Sequence, residues 1–177
     1  ARTPGNGRIL GGITYDRTRI ANCSPDDPNA NGGRFCDEFG SNVDIPFRRL
    51  LKLSGFYPLP VLGLEISGSF QSAPGLIGGN DWSVGRSIVP GLTQSTVTVP
   101  LVAPGSKYLD QINQLDISLA KAFEFNDSHR LRVKLELFNA FNTNVVLNQR
   151  RVFGSRLDSP TEIMSARLIQ IGASFNF

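Results

Sequence analysis

Apolar and polar side chains alternate along several long stretches of the chain, and residues 165–177 show the pattern most completely. In that stretch Ile169, Ile171, Ala173, Phe175 and Phe177 alternate with Leu168, Gln170, Gly172, Ser174 and Asn176. A period of two places the first set on one face of a β-strand and the second set on the other. The pattern predicts a strand with one apolar face and one mostly polar face.

The same alternation predicts five further strands, at residues 8–18, 47–57, 61–71, 111–125 and 130–137. In the last of these, four leucine or valine residues alternate with four charged residues, Arg130, Arg132, Lys134 and Glu136. The alternation breaks at residues 138–141, which indicates a bulge. Charged side chains are costly to bury in a dry core, so we expect this row, together with Glu65 and Asp116, to face a water-filled interior.

The predicted strands are joined alternately by short and long connections. Short turns fall at about residues 58–60 and 126–129, and long loops at about 20–46, 72–110 and 142–164, with a short extra ribbon predicted at residues 96–99. Outer-membrane β-barrels share this asymmetry, with short periplasmic turns and long outer loops, and their rims carry aromatic residues such as Phe177. The predicted fold class is therefore all-β, an antiparallel transmembrane β-barrel segment of about six long strands. A soluble β-sandwich is the alternative.

Composition and charge exclude some classes of function. Within 177 residues, of which 40% are hydrophobic, no run of about 18 apolar residues predicts a membrane-spanning helix. The net charge is +3, but the basic residues are scattered without a stripe, so nucleic-acid binding is not expected. His129 is the single histidine and no catalytic set accompanies it, so we expect no enzyme and no cofactor.

Two features of the first long loop predict chemistry. Cys23 and Cys36 flank a polar segment and are expected to form a disulfide, which is typical of an oxidising compartment. Asp27, Asn29, Asn31 and Glu38, with Gly32 between them, have the spacing of a calcium-binding loop. Because no predicted helix flanks this loop, a solvated loop is the favoured interpretation and calcium is the alternative.

Several segments, taken in order and spacing, resemble a known family. They are residues 53–60 (LSGFYPLP), 66–71 (ISGSFQ), 101–105 (LVAPG), 113–121 (NQLDISLAK), 137–142 (LFNAFN) and 160–168 (PTEIMSARL). Together they resemble the carboxy-terminal barrel of TonB-dependent outer-membrane receptors, in the subgroup with an amino-terminal carboxypeptidase-regulatory-like domain. The resemblance extends from about residue 8 to residue 177.

The resemblance implies a location and a set of partners. Residues 1–177 would be the carboxy-terminal part of a bacterial outer-membrane barrel of about 22 strands, as a fragment or a split subunit. The chain does not begin with Met, in keeping with a processed or cut amino-terminus. The implied partners are outer-membrane lipid, the rest of the barrel with its plug domain, a TonB-type energy transducer, and the insertion machinery, which would read Phe175 and Phe177 as an assembly signal. A complete eight-stranded barrel is an alternative.

The resemblance also implies a function, the binding and import of a scarce solute through a gated pore. The six charged positions named above would then line the lumen and contact a plug or a solute. Two other functions remain open at this point. The barrel could scaffold a cell-surface assembly, or the chain could be a secreted β-sandwich that binds carbohydrate.

Overall fold

The computed structural model describes residues 4–17, 35, 47–60, 63–103, 105–126 and 128–177, which contain ten β-strands and no helix. The strands are β1 (Arg8–Asp16), β2 (Arg48–Leu59), β3 (Leu64–Ala73), β4 (Asp81–Gly85), β5 (Thr96–Pro100), β6 (Ile112–Glu124), β7 (Arg130–Phe138), β8 (Val146–Gln149), β9 (Pro160–Ile163) and β10 (Leu168–Asn176). In the described ranges no helix is long and apolar enough to span a bilayer.

The six long strands form one antiparallel sheet in the order β1-β2-β3-β6-β7-β10. Each of the six predicted strands is present, so the all-β antiparallel class is confirmed. Strands β1 and β10 are the two edges, and within the described part of the chain the sheet is open. Membership of a closed transmembrane barrel therefore stays a prediction.

The remaining strands form two short ribbons inside the long connections. Strands β4 and β5 pair within the β3–β6 connection, which confirms the ribbon predicted at residues 96–99. Strands β8 and β9 pair within the β7–β10 connection and were not predicted. Their register shifts twice over four residues, so the sequence there carries no clean period of two.

Several predicted strand ends differ from the structure. Strand β2 continues through Pro58 to Leu59, so the predicted turn at 58–60 starts two residues too early, and Gly63, directly before β3, has a φ of +61°. The bulge predicted at residues 138–141 falls just past the end of β7, where the Ala140 amide donates to the Leu115 carbonyl of β6 at 2.7 Å, one residue out of the β6–β7 register. Strand β7 ends at Phe138, and Asn139 enters a turn with a φ of +50°, because its short side chain forms local hydrogen bonds that support a left-handed backbone.

The strand register aligns the apolar positions across the whole sheet. Ile66 pairs with Leu119, Leu119 with Leu135, and Leu135 with Ile171. A slip of one residue would send every side chain of a strand to the opposite face, so the pattern fixes the register. The result is a sheet with one apolar face and one polar face.

Each long strand contacts only its neighbours in the sheet, so no second layer covers either face within the described residues. Apolar burial is correspondingly small. In this part of the chain Val84 and Ala120 are the apolar side chains that are fully buried. The sheet therefore lacks the packed core that stabilises a two-layer domain.

Candidate functional site: two faces of one sheet and a loop cap

The apolar face is broad and exposed. Twelve of its large side chains are more than a third exposed: Ile9, Ile13, Tyr15, Leu53, Tyr57, Ile66, Leu119, Phe123, Leu135, Ile169, Ile171 and Phe175. Ile171, near the middle of strand β10, is 75% exposed. A continuous apolar surface that spans six strands is larger than solvated surfaces ordinarily carry.

Charged residues occur on this face only near its two ends. Among its strand positions, Arg49 lies near the end that carries the long connections and Lys121 near the end that carries the short turns. On strand β6, Asn113 and Lys121 are eight residues apart and bracket a run whose apolar-face positions, Leu115, Ile117 and Leu119, carry no charge. At about 3.4 Å per residue and a tilt near 40°, this run has a height of roughly 20 Å, close to the apolar band of a membrane barrel.

Aromatic rings gather at the short-turn end of the apolar face. The rings of Phe175 and Phe177 stack with centroids 6.1 Å apart, and the His129 ring lies 5.9 Å from that of Phe175. The Lys121 ammonium lies 4.9 Å from the centroid of the Phe123 ring. Aromatic rings beside a lysine are typical of an interface between an apolar medium and water.

The opposite face of the sheet carries the charged residues that were predicted to face a water-filled interior. Glu65, Asp116, Arg130, Arg132, Lys134 and Glu136 all occupy register positions of this polar face. That this face lines a lumen stays a prediction. The sequence identified the members of the set because each lies at an alternate position in a strand.

Six charged residues of the polar face form three ion pairs. Lys134 Nζ lies 2.6 Å from Glu136 Oε1, and Arg130 Nε lies 3.7 Å from Glu124 Oε1. The Arg132 guanidinium donates to Glu65 Oε2, so this pair joins strands β7 and β3 across the intervening β6. All these side chains are partly exposed, so each pair contributes little stability by itself.

Small residues on β6 make the longest of these pairs feasible. Ala120 is the register partner of Glu65, and Ala122 is the register partner of Arg132. Two strand spacings, about 9.6 Å, separate β3 from β7, and the arginine must lie flat over β6 to cover them. A large side chain at position 120 would obstruct that path.

A double-mutant cycle measures this cross-strand pair. We expect Glu65→Gln and Arg132→Met to show a coupling free energy of about 0.5–1 kcal/mol in denaturant unfolding. The Glu124 and Arg130 pair is the matched control, because its atoms are farther apart and more exposed, and its coupling should be smaller. A coupling for Glu65 and Arg132 no larger than that of the control would contradict the assigned contact.

A hollow of about 640 Å³ lies on the polar face between β1 and β7. Its lining includes Arg8, Ser69, Asp116, Lys134 and Glu136. The Asp116 carboxylate accepts hydrogen bonds from Gln114 Nε2 at 3.0 and 3.1 Å and from the Asn139 amide at 2.9 Å. These contacts hold a carboxylate at the wall of the hollow, which suits water or a polar solute.

Asn139 ties the end of β7 to its surroundings. The residue is 3% exposed, and its side-chain amide donates to the carbonyl oxygens of Thr143 at 3.0 Å and Ser165 at 2.8 Å. Its Oδ1 accepts from the Thr143 amide at 3.1 Å. Together with the backbone contact to Asp116, these bonds connect β6, β7 and the entry to β10. Asn139 was not predicted to have this role, because two of its partners, Asp116 and Ser165, are distant in sequence.

Two long connections join to form a structure that we call the loop cap, residues 74–103, 105–111 and 139–167. The Asp81 amide donates to the Arg151 carbonyl at 2.8 Å, and the Phe153 amide donates to the Asp81 carbonyl at 2.9 Å. Asp81 Oδ2 also lies 3.2 Å from Arg151 Nε, and Lys107 Nζ lies 2.6 Å from Asp158 Oδ2. The cap lies at the end of the sheet opposite the short turns.

The remaining predicted sites lie outside the described residues. They are the disulfide of Cys23 and Cys36 and the calcium ligands Asp27, Asn29, Asn31 and Glu38. Within the ranges that the structure describes, no group of three potential metal ligands comes together. His129 is half-buried, and its Nδ1 lies 2.7 Å from Asn126 Oδ1 in a tight turn.

Comparison with known proteins found no matching family model and no matching curated protein. The function must therefore be argued from the two faces and the cap.

Proposed function

We propose that this chain forms part of the wall of a TonB-dependent outer-membrane receptor that binds and imports a scarce solute. The observation that carries the proposal is the division of one uncovered sheet into an exposed apolar face and a charged, hollowed face. A membrane barrel contacts lipid on its outside and water on its inside. Strands in which apolar and polar residues alternate present an apolar face to the lipid and a polar face to the water. The order and spacing of the sequence segments described above support the particular family.

The energetics of the apolar face support a lipid environment. Full burial of a large apolar side chain stabilises a protein by about 1.5–3 kcal/mol relative to full exposure in water. Twelve such side chains, each partly exposed, would forgo on the order of 10 kcal/mol in water, which is comparable to the whole stability of a typical domain. A bilayer removes that cost without requiring a second protein layer.

The polar face supports a role as a pore wall. One of its ion pairs joins β7 to β3 across β6 and another lies within β7, and their side chains remain partly exposed, as side chains in contact with water do. The hollow around Asp116 and Lys134 offers charged and hydroxyl groups to a passing polar solute. In this arrangement the protein supplies a surface and a path, and the cap contributes the outer rim.

Folding in the presence and absence of lipid tests the proposal. We expect the urea-unfolded chain to gain β-structure by circular dichroism only when detergent micelles or bilayer vesicles are supplied. Bound protein should then resist extraction from vesicles with urea at concentrations that strip peripheral proteins. A folded, monodisperse chain in detergent-free buffer would contradict the proposal and favour the soluble β-sandwich.

Deletion of Phe177 separates packing from assembly. The ring is 92% exposed and stacks on Phe175, so its loss should change the free energy of unfolding by at most about 1 kcal/mol. If the insertion machinery reads this aromatic residue, the amount of complete receptor assembled in cells should fall much further, by about tenfold or more. Surface abundance and the unfolding midpoint of refolded protein measure the two effects separately. Unchanged abundance would mean that Phe177 acts only in packing.

A further inference from the structure

The two parts of the loop cap are joined at two places that differ in kind. The first junction is backbone pairing, in which Asp81 lies in a parallel bridge with Val152. The second is the side-chain pair of Lys107 and Asp158, in which the two groups are 36% and 43% exposed. Backbone pairing holds a fixed register, whereas an exposed ion pair is weak and exchanges readily with solvent.

Asp158 is held by several contacts in a left-handed backbone conformation. Its φ is +64°, a left-handed value that is unfavourable for most residues with a side chain. Its carboxylate receives both Lys107 Nζ at 2.6 Å and Gln149 Nε2 at 3.0 Å, and its amide donates to the Arg150 carbonyl at 3.0 Å. Strained backbone of this kind persists where surrounding contacts hold it.

Lys107, the other member of the ion pair, also contacts Gly78 in its own part of the cap. Its carbonyl accepts from the Gly78 amide at 2.8 Å, and its side chain lies against Gly78, where a Cβ would be 3.0 Å from Lys107 Cγ. A neighbouring glycine, Gly79, lies closer still to the Arg151 guanidinium, where a Cβ would be 2.6 Å from its nearest nitrogen. The segment that precedes β4 is thus packed against side chains that belong to both junctions.

We infer that Lys107 and Asp158 form a releasable clasp that makes the two connections of the cap move as one body. The backbone pairing at Asp81 is the permanent junction, and the ion pair closes the far side. While the clasp is closed, a contact made at the hairpin tip, residues 150–159, restrains the segment around Gly78 as well. A charged partner that draws away either side chain would uncouple the two connections.

Amide hydrogen exchange, resolved to single residues on the full chain refolded in detergent, tests the clasp. Asp158→Asn is a suitable change because asparagine tolerates a left-handed backbone and removes only the charge. We expect the amides of both Gly78 and Asp158 to exchange about two- to fivefold faster in this variant. Glu162→Gln is the matched control in the same connection, since Glu162 is exposed, and it should leave both amides unchanged.

The coupling requires a second pair of variants. The single variant Lys107→Gln, like the single variant Asp158→Asn, should accelerate the two amides, whereas Lys107→Arg keeps the charge and should leave both amides protected. Faster exchange confined to the connection that carries the substitution would overturn the inference, because the two parts would then move independently. Unchanged exchange in the single variants Asp158→Asn and Lys107→Gln would also overturn the inference, since the ion pair would then restrain neither connection.

Discussion

Replacement of Leu135 by arginine is expected to lower the free energy of unfolding in a bilayer by about 2–4 kcal/mol. Leu135 lies between Leu119 and Ile171 in the register, in the uncharged middle of the apolar face. An arginine there would have to carry its charge into the hydrocarbon or distort the bilayer. Urea unfolding of the chain refolded in vesicles measures the change.

The matched control places the same charge on the other face. Leu10 is 67% exposed and lines the polar hollow from strand β1, so Leu10→Arg should change the free energy of unfolding by less than about 0.5 kcal/mol. Equal costs for the two variants, or a greater cost at Leu10, would mean that lipid does not contact the face that carries Leu135.

Replacement of Asn139 by alanine is expected to cost about 3 kcal/mol. The change leaves the carbonyl oxygens of Thr143 and Ser165 without their donor, and it places alanine at a φ of +50°. Each unsatisfied buried group costs about 1–3 kcal/mol, and left-handed backbone adds about 1 kcal/mol for a residue with a Cβ. Thermal or urea unfolding in detergent measures the total.

Two further variants separate these contributions. Asn139→Gly relieves the backbone strain but still removes the side-chain bonds, so it should recover about 1 kcal/mol of the loss. Asn144→Ala, a change at an exposed position five residues away, should have almost no effect. A loss at Asn139 no greater than that at Asn144 would show that the node does not stabilise the end of β7.

The long strands could be predicted because they depend on the alternation of residues that are neighbours in the sequence. In β7 and β10, alternate residues are apolar over nine positions, and a strand is the conformation that puts them on one face. The observed register keeps these apolar positions on one face of the sheet. The alternation of charges in β7 likewise indicated which residues would share the polar face.

The contacts that tie the sheet to its loops could not be predicted, because they depend on residues that are distant in sequence. Arg132 and Glu65 are 67 positions apart, and their contact depends on small residues in a third strand. Asn139 reaches Ser165 across 26 positions, through a backbone conformation that alternation does not encode. Strands β8 and β9 were missed for a related reason, since their irregular pairing erases the local pattern.

The central claim is that lipid contacts one face of the sheet and water the other. Tryptophan placed in turn at four positions tests it most directly, in a background where Trp82, the single native tryptophan, is replaced by phenylalanine. Positions 135 and 171 lie on the apolar face, and their chain neighbours 134 and 170 lie on the polar face. In vesicles whose acyl chains carry a bromine or nitroxide quencher, fluorescence should be strongly quenched at 135 and 171 and little affected at 134 and 170. Quenching at 134 and 170, or equal quenching at all four positions, would contradict the account.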